Sequence, residues 1–226
     1  MTNIIEDSNI SILINHKRGL YNDKNWMCIK KRYEFLIPNG EIVIGDYPKD
    51  NYSKSLTINN AAKRARGDIF IIADSNIAFN FESIKKGLDM LKQYPLIVPY
   101  GDVIYLNQHS TRDFYTLSPK LNMNGIRFSV YKREPASVGY IFIVPRKNFE
   151  DIGGFDENIT DWDEENMDFN DRLYARFAES KRLNNYSIWS LFYEKVNYPL
   201  YMKGINVEKI LKMKYPLGDM SWNISI

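Results

Sequence analysis

Asp74-Ser75-Asn76 sets a carboxylate and a carboxamide two positions apart, directly after the apolar run Ile69–Ala73. At a strand end, two such side chains can both offer oxygen to one hard divalent cation, Mg2+ or Mn2+. A triplet of this kind is also an ordinary strand-ending turn, so its surroundings decide its meaning. Two more polar clusters follow apolar runs in the same way. They are Asn15-His16-Lys17-Arg18-Gly19 after Ile10–Ile14, and Gly45-Asp46 after Ile42–Ile44. In an open parallel α/β sheet, ligands sit beyond the carboxyl ends of the strands. Between them the three clusters hold a hydrogen-bond acceptor, cationic groups and oxygen ligands, the ingredients that a nucleoside diphosphate and its cation require.

The elements that must position these clusters are legible as an alternation of short apolar runs and helical patterns, the signature of a parallel sheet wound by helices. Ile10–Ile14, Ile42–Ile44, Ile69–Ala73 and Leu96–Val98 read as strands, the third apolar throughout and therefore central. Trp26, Ile29 and Tyr33 recur at helical steps, as do Ile58, Ala61, Ala62 and Ala65, and then Ile84, Leu88 and Leu91. Residues 107–135, rich in Tyr, Arg, Ser and Asn, break this rhythm and read as an excursion over the sheet. Val138–Val144 is a further strand, Pro145 opens a helix, Gly153-Gly154 is a sharp turn, and Phe169, Leu173 and Phe177 mark one more helix. No repeat, low-complexity tract or linker interrupts the 226 residues, so one domain is expected.

Composition narrows the classes. Apolar residues make up 44% and charged residues 26%, as in ordinary globular domains. The net charge of +2 is too small to argue for nucleic acid or an anionic membrane. A single cysteine, Cys28, excludes an intramolecular disulfide and a multi-cysteine zinc site, and its apolar neighbours predict a buried thiol. Met1–Asn9 is polar, and the longest apolar runs are strand-length, far short of the roughly 20 residues that cross a bilayer. A soluble, cytoplasmic protein is expected. The Ile-, Asn- and Lys-rich composition suits an AT-rich genome, bacterial or viral.

The segments around the clusters resemble a known family. Tyr52-Ser53-Lys54-Ser55-Leu56-Thr57-Ile58-Asn59-Asn60-Ala61 and then Arg66-Gly67-Asp68-Ile69-Phe70-Ile71-Ile72-Ala73-Asp74-Ser75-Asn76 are similar to the donor half of GT-A glycosyltransferases. There an Asn-containing helix, an Arg-Gly step and an apolar strand lead to an Asp-x-Asp. Gly153-Gly154-Phe155-Asp156-Glu157 and Trp162-Asp163-Glu164-Glu165-Asn166-Met167-Asp168-Phe169-Asn170-Asp171-Arg172-Leu173 resemble a second block. In β-1,4-galactosyltransferases and chondroitin-synthase-like enzymes of families 2 and 7 that block reads Gly-Gly-Phe-Asp, a spacer, then Trp-Gly-Gly-Glu-Asp-x-Asp-Phe. The likeness runs over about residues 8–180.

The resemblance implies a GT-A fold, a Rossmann-like and mostly parallel central sheet flanked by helices in a single α/β domain. Residues 1–106 would form the donor half, 107–197 the acceptor and catalytic half, and 198–226 a tail. His16, Arg18, Asp46, Asn59, Asp74 and Ser75 would line the nucleotide sugar, a UDP-sugar, with Asp74 and Asn76 holding Mn2+ or Mg2+. Trp162, Glu164 and Asn166 would face the acceptor. The acceptor would be a hydroxyl on a glycan, a protein side chain or a modified base in viral DNA, and the transfer would be inverting.

Two positions depart from the pattern, since Asn76 and Asn166 stand where the family has Asp. An amide has no useful basicity near neutral pH, so Asn166 cannot be the general base. Glu165, or else Asp163, is expected to take that role, because crowded carboxylates raise one another's pKa. The family's late histidine metal ligand has no counterpart either, as His16 and His109 both come early. Two other readings stay open: a non-catalytic nucleotide-sugar binder, and a nucleotidyltransferase, against which the single glycine in Asn15–Gly19 argues.

Overall fold

The computed structural model describes residues 5, 9–48, 52–117, 130–135, 139–159, 164–177 and 179–193. Ile10–Asn15 forms strand β1, with all six residues buried, and helix α1 (Leu20–Leu36) returns across the sheet. The helical spacing of Trp26, Ile29 and Tyr33 is the buried face of α1, and Cys28 is buried with it. Strand β2 (Glu41–Ile44) leads to helix α2 (Lys54–Arg64). Ser53 caps α2 by accepting the Leu56 amide at 3.2 Å. Ile58, Ala61 and Ala62 turn inward. Strand β3 (Ile69–Asp74) then runs through the core.

At Ser75-Asn76 the chain changes sheets. Strand β4 (Ile77–Phe79) belongs to a second sheet, and helix α3 (Phe81–Met90) leads back to the short strand β5 (Ile97–Val98) of the first. Strand β6 (Asp102–Leu106), helix α4 (Gln108–Leu117) and strand β7 (Val130–Pro135) follow. After them come strand β8 (Ile141–Pro145), helices α5 (Arg146–Asp151) and α6 (Glu164–Phe177), and strands β9 (Lys181–Arg182) and β10 (Ser187–Ser190).

The first sheet has the order β2-β1-β3-β8-β5-β9, and only β8 runs against the others. This is the mostly parallel central sheet that the alternating pattern implied. The register of β1 on β3 sets Asn15 opposite Asp74. The second sheet, β4-β10-β6-β7, mixes parallel and antiparallel pairs. Among the described residues no helix is long and apolar enough to cross a membrane.

Residues 107–135 are more regular than the sequence suggested. They hold α4, anchored through the buried Phe114, and β7, paired antiparallel with β6. The sequence Val-Tyr-Lys-Arg-Glu-Pro of β7 lacks apolar alternation because an edge strand is held by its backbone ladder. Residues 118–129, between the two, lie outside the described set.

Aromatic packing fixes α6 on the first sheet. Phe155 and Phe169 stack in parallel with ring centres 4.2 Å apart, and Phe142 of β8 meets Phe169 at 5.4 Å. The spacing of Phe169 and Leu173 is thus the buried face of α6, which carries Glu165 and Asn166 at its first turn.

Candidate active site

Three strand ends build the site, with β1 contributing Asn15 and His16, β2 leading to Asp46, and β3 ending at Asp74. The Asp74 side chain is only 13% exposed, and its Oδ1 accepts from Asn15 Nδ2 at 2.9 Å and from Lys54 Nζ at 3.0 Å. Lys54, the first residue of α2, is itself buried and also donates to the Gly139 carbonyl at 2.9 Å. A buried carboxylate with an ammonium and an amide on one oxygen is an ion pair in which each partner offsets part of the other's cost of burial, so that removing one alone leaves an uncompensated charge.

His16 is buried between two partners. Its Nδ1 lies 3.0 Å from Ser75 Oγ and its Nε2 lies 2.9 Å from Asp23 Oδ1, in the first turn of α1. Burial above all holds His16 below the ordinary histidine range, against the pull of Asp23. Asn76, at the crossing between the sheets, donates from Nδ2 to Ser190 Oγ at 3.2 Å, while its main-chain carbonyl accepts the Leu191 amide at 3.0 Å.

A cavity of about 540 Å³ opens beside these residues, lined by His16, Lys17, Arg18, Ile44, Gly45, Asp46, Tyr47 and Tyr52. Tyr47 and Tyr52 meet edge to face at 4.9 Å, and Lys17 Nζ lies 5.3 Å from the Tyr52 ring centre. The volume falls within the range of small-molecule sites. The Tyr52 hydroxyl donates to Asn15 Oδ1. Burial foremost, then the charge of Asp74, pushes that hydroxyl well above the ordinary tyrosine range, and Glu165 adds to the shift.

Gly139 joins α6 to this edge. Its φ of +141° suits glycine, and an added Cβ would lie 2.5 Å from Asn166 Nδ2. Its amide and that of Tyr140 both donate to the Tyr100 hydroxyl, at 3.2 and 3.1 Å. Asn166 is 1% exposed and donates to Glu165 Oε1 at 3.0 Å, while its own carbonyl oxygen has no partner among the described residues. Glu165 is buried and Glu164 is exposed.

Asn59 is placed elsewhere. Its carboxamide clamps the Phe155 main chain, donating to the carbonyl at 2.9 Å and accepting from the amide at 2.9 Å, with a further bond to Glu157 Oε1 at 2.8 Å. An added Cβ on Gly154, where φ is +71°, would come within 2.6 Å of Asn59 Oδ1. The Gly-Gly-Phe-Asp segment is thus a tight turn fastened to α2. Beside it lies a second cavity of about 340 Å³ that includes Glu157 and Arg172. Asp46 is 80% exposed and pairs with Arg64 at 2.8 Å. Trp162 and Asp163 lie outside the described residues.

The divalent cation expected at Asp74 and Asn76 meets an arrangement that does not suit it. Asp74 Oδ1 already faces an ammonium, Asn76 is neutral with its amide nitrogen on Ser190, and both nitrogens of His16 are engaged. Among the described residues no three His, Cys, Asp or Glu side chains gather as a metal site. Sequence reasoning passed over Lys54, Asn15, Tyr52 and Gly139 as site residues. The β1–β3 register was the one available signal, since it aligns Asn15 with Asp74.

The fold is similar to that of solved GT-A-type glycosyltransferases. The mannosyltransferase PcManGT from Pyrobaculum calidifontis, solved with GDP-Man and Mn2+, is similar at a TM-score of 0.50 and 14% identity, over 88% of this chain and 61% of that one. The catalytic domain of Drosophila β1,4-galactosyltransferase 7, solved with xylobiose, is similar at a TM-score of 0.45 and 15% identity, over 78% of this chain and 65% of that one. This chain therefore spans less than two thirds of the length of either. At 14% identity the likeness to PcManGT shows the fold alone. No protein-family model matches the chain, and no curated protein matches it in sequence.

Proposed function

We propose that this chain transfers a sugar from a nucleoside diphosphate donor, a UDP-sugar, to a hydroxyl of a glycan acceptor, with inversion. One observation carries this reading: the cavity at the ends of β1 and β2, with its tyrosines and cations, opens beside Asp74, which Lys54 joins to the Gly139 carbonyl, and Gly139 packs on Asn166 next to Glu165. The nucleoside lies toward Ile44, Asp46 and Tyr47, and the diphosphate toward Lys17 and Arg18. Asp74, Asn15 and Lys54 form the rigid floor on which the sugar rests.

Glu165 is the general base. As the acceptor oxygen attacks the anomeric carbon, its proton passes to the Glu165 carboxylate, and the bond from that carbon to the β-phosphate oxygen breaks. The electron pair leaves with the nucleoside diphosphate. Asn166 holds Glu165 by donating to Oε1, a bond that an Asp at that position could not make while ionised.

A screen of UDP- and GDP-sugars for transfer or slow donor hydrolysis tests the reading. Turnover that Glu165→Gln lowers by about 10²-fold or more supports it. Turnover unaffected by that change removes Glu165 from the reaction.

A further inference from the structure

We propose that the donor diphosphate is held here without a divalent cation: Lys17 and Arg18 supply its counter-charge, and Lys54 is the built-in cation of Asp74. The inference rests on the donor-site reading above.

The argument starts from charge. Asp74 is the sole carboxylate of the triplet, and its Oδ1 carries Lys54 Nζ at 3.0 Å and Asn15 Nδ2 at 2.9 Å. With both side chains of the ion pair nearly excluded from water, at 6% and 13% exposure, the pair is screened little and its net charge is zero. A metal ion approaching that carboxylate would meet the Lys54 ammonium as a like charge a few ångströms away. That repulsion offsets the attraction of the Asp74 carboxylate, so the pair as a whole offers the ion little net charge to bind. Mg2+ takes much of its six-oxygen shell from water and substrate phosphate, but it still holds to a protein through one or two carboxylates. The triplet and its described neighbours offer one neutralised carboxylate and one amide whose nitrogen is bonded to Ser190.

The cavity, in contrast, has its own cations. Lys17 and Arg18 are exposed on the loop after β1, line the cavity, and make no side-chain ion pair among the described residues. The Lys17 ammonium rests near the Tyr52 ring, 5.3 Å from its centre, so it is preplaced rather than free to wander. Two positive charges, one resting by the Tyr52 ring, match a diphosphate, and arginine can engage its oxygens in a bidentate fork.

The test uses the full chain with UDP and GDP as probes, and binding is read by titration calorimetry in chelator and in Mn2+. The expected result is binding of one of them in chelator with an affinity within about threefold of that in Mn2+. Lys17→Ala and Arg18→Ala should each weaken diphosphate binding by about tenfold or more while leaving binding of the bare nucleoside unchanged. Mn2+ alone should leave the melting temperature of the wild-type chain unmoved. Binding that appears only with Mn2+, or a melting temperature that Mn2+ alone raises, overturns the inference and leaves the donor site standing. No binding of either nucleotide under both conditions removes the donor site and the inference together.

Discussion

Asp74 and Asp46 follow the two strands that flank β1, yet the molecule treats them as opposites. Asp74 is enclosed, its ammonium partner is buried, and both are tied further to Asn15 and Gly139. Asp46 is 80% exposed, and its partner Arg64 is 49% exposed. One carboxylate is part of the core and the other belongs to the solvent, although each follows an apolar strand by the same rule. A strand end tells where a polar residue sits along the sheet, and the cover over that end decides what the residue can do. Here the Lys54 side chain and Gly139 close over the end of β3, whereas β2 lies at the sheet's edge.

The sharpest break of this contrast is Lys54→Met, which strands a buried carboxylate. A loss of about 3–5 kcal/mol of unfolding free energy is expected in denaturant titration. Adding Asp74→Leu to Lys54→Met should recover most of that loss, because the pair's burial cost disappears along with its attraction. A double variant no more stable than the single one would show that Lys54 stabilises the fold through Gly139 instead. Asn59→Ala comes next, at about 1–3 kcal/mol, since it leaves the Phe155 amide and carbonyl without their clamp.

The pH dependence of His16 is smaller. Its pKa in the folded chain is held below that of the unfolded chain, so the unfolded state takes up the proton first. Stability is then full above the ordinary histidine range and declines as pH falls from there through the lowered folded pKa. His16→Gln should flatten that limb in pH-resolved thermal melts. The smallest effect is expected for Asp46→Ala, within about 1 kcal/mol and less at high salt, because an exposed pair is worth little.

Much of this arrangement was legible beforehand. An apolar run broken only by Ser11 marked β1, and an uninterrupted one marked β3, since a strand covered on both faces is mostly apolar. The four-residue steps of Phe169 and Leu173 marked α6 for the same reason. Short polar strands were not legible. β7, β9 and β10 are held by partners distant in sequence, and two-residue β9 has no pattern to read. At the site, the residues named first were those matching a motif. Asn59 matched, yet it braces a turn. Lys54 lies five residues before Asn59 in the same segment, and only three-dimensional packing reveals that it meets Asp74. Glu165 and Asn166 were placed together by sequence, but their approach to Tyr52 depends on Gly139, whose positive φ no spacing announces.

The reversed direction of β8 bears on how the chain assembles on the ribosome. Because β8 begins where β3 ends, Gly139 and Tyr140 reach Asp74 only after the whole of residues 75–138 has been made. A nascent chain halted before that point carries β3, its most apolar strand, with one edge unpaired and available to other chains. The Lys54–Asp74 pair, too, stays wet until the Gly139 carbonyl arrives. Translation through β8 thus marks the moment at which an aggregation-prone half-sheet becomes a protected one.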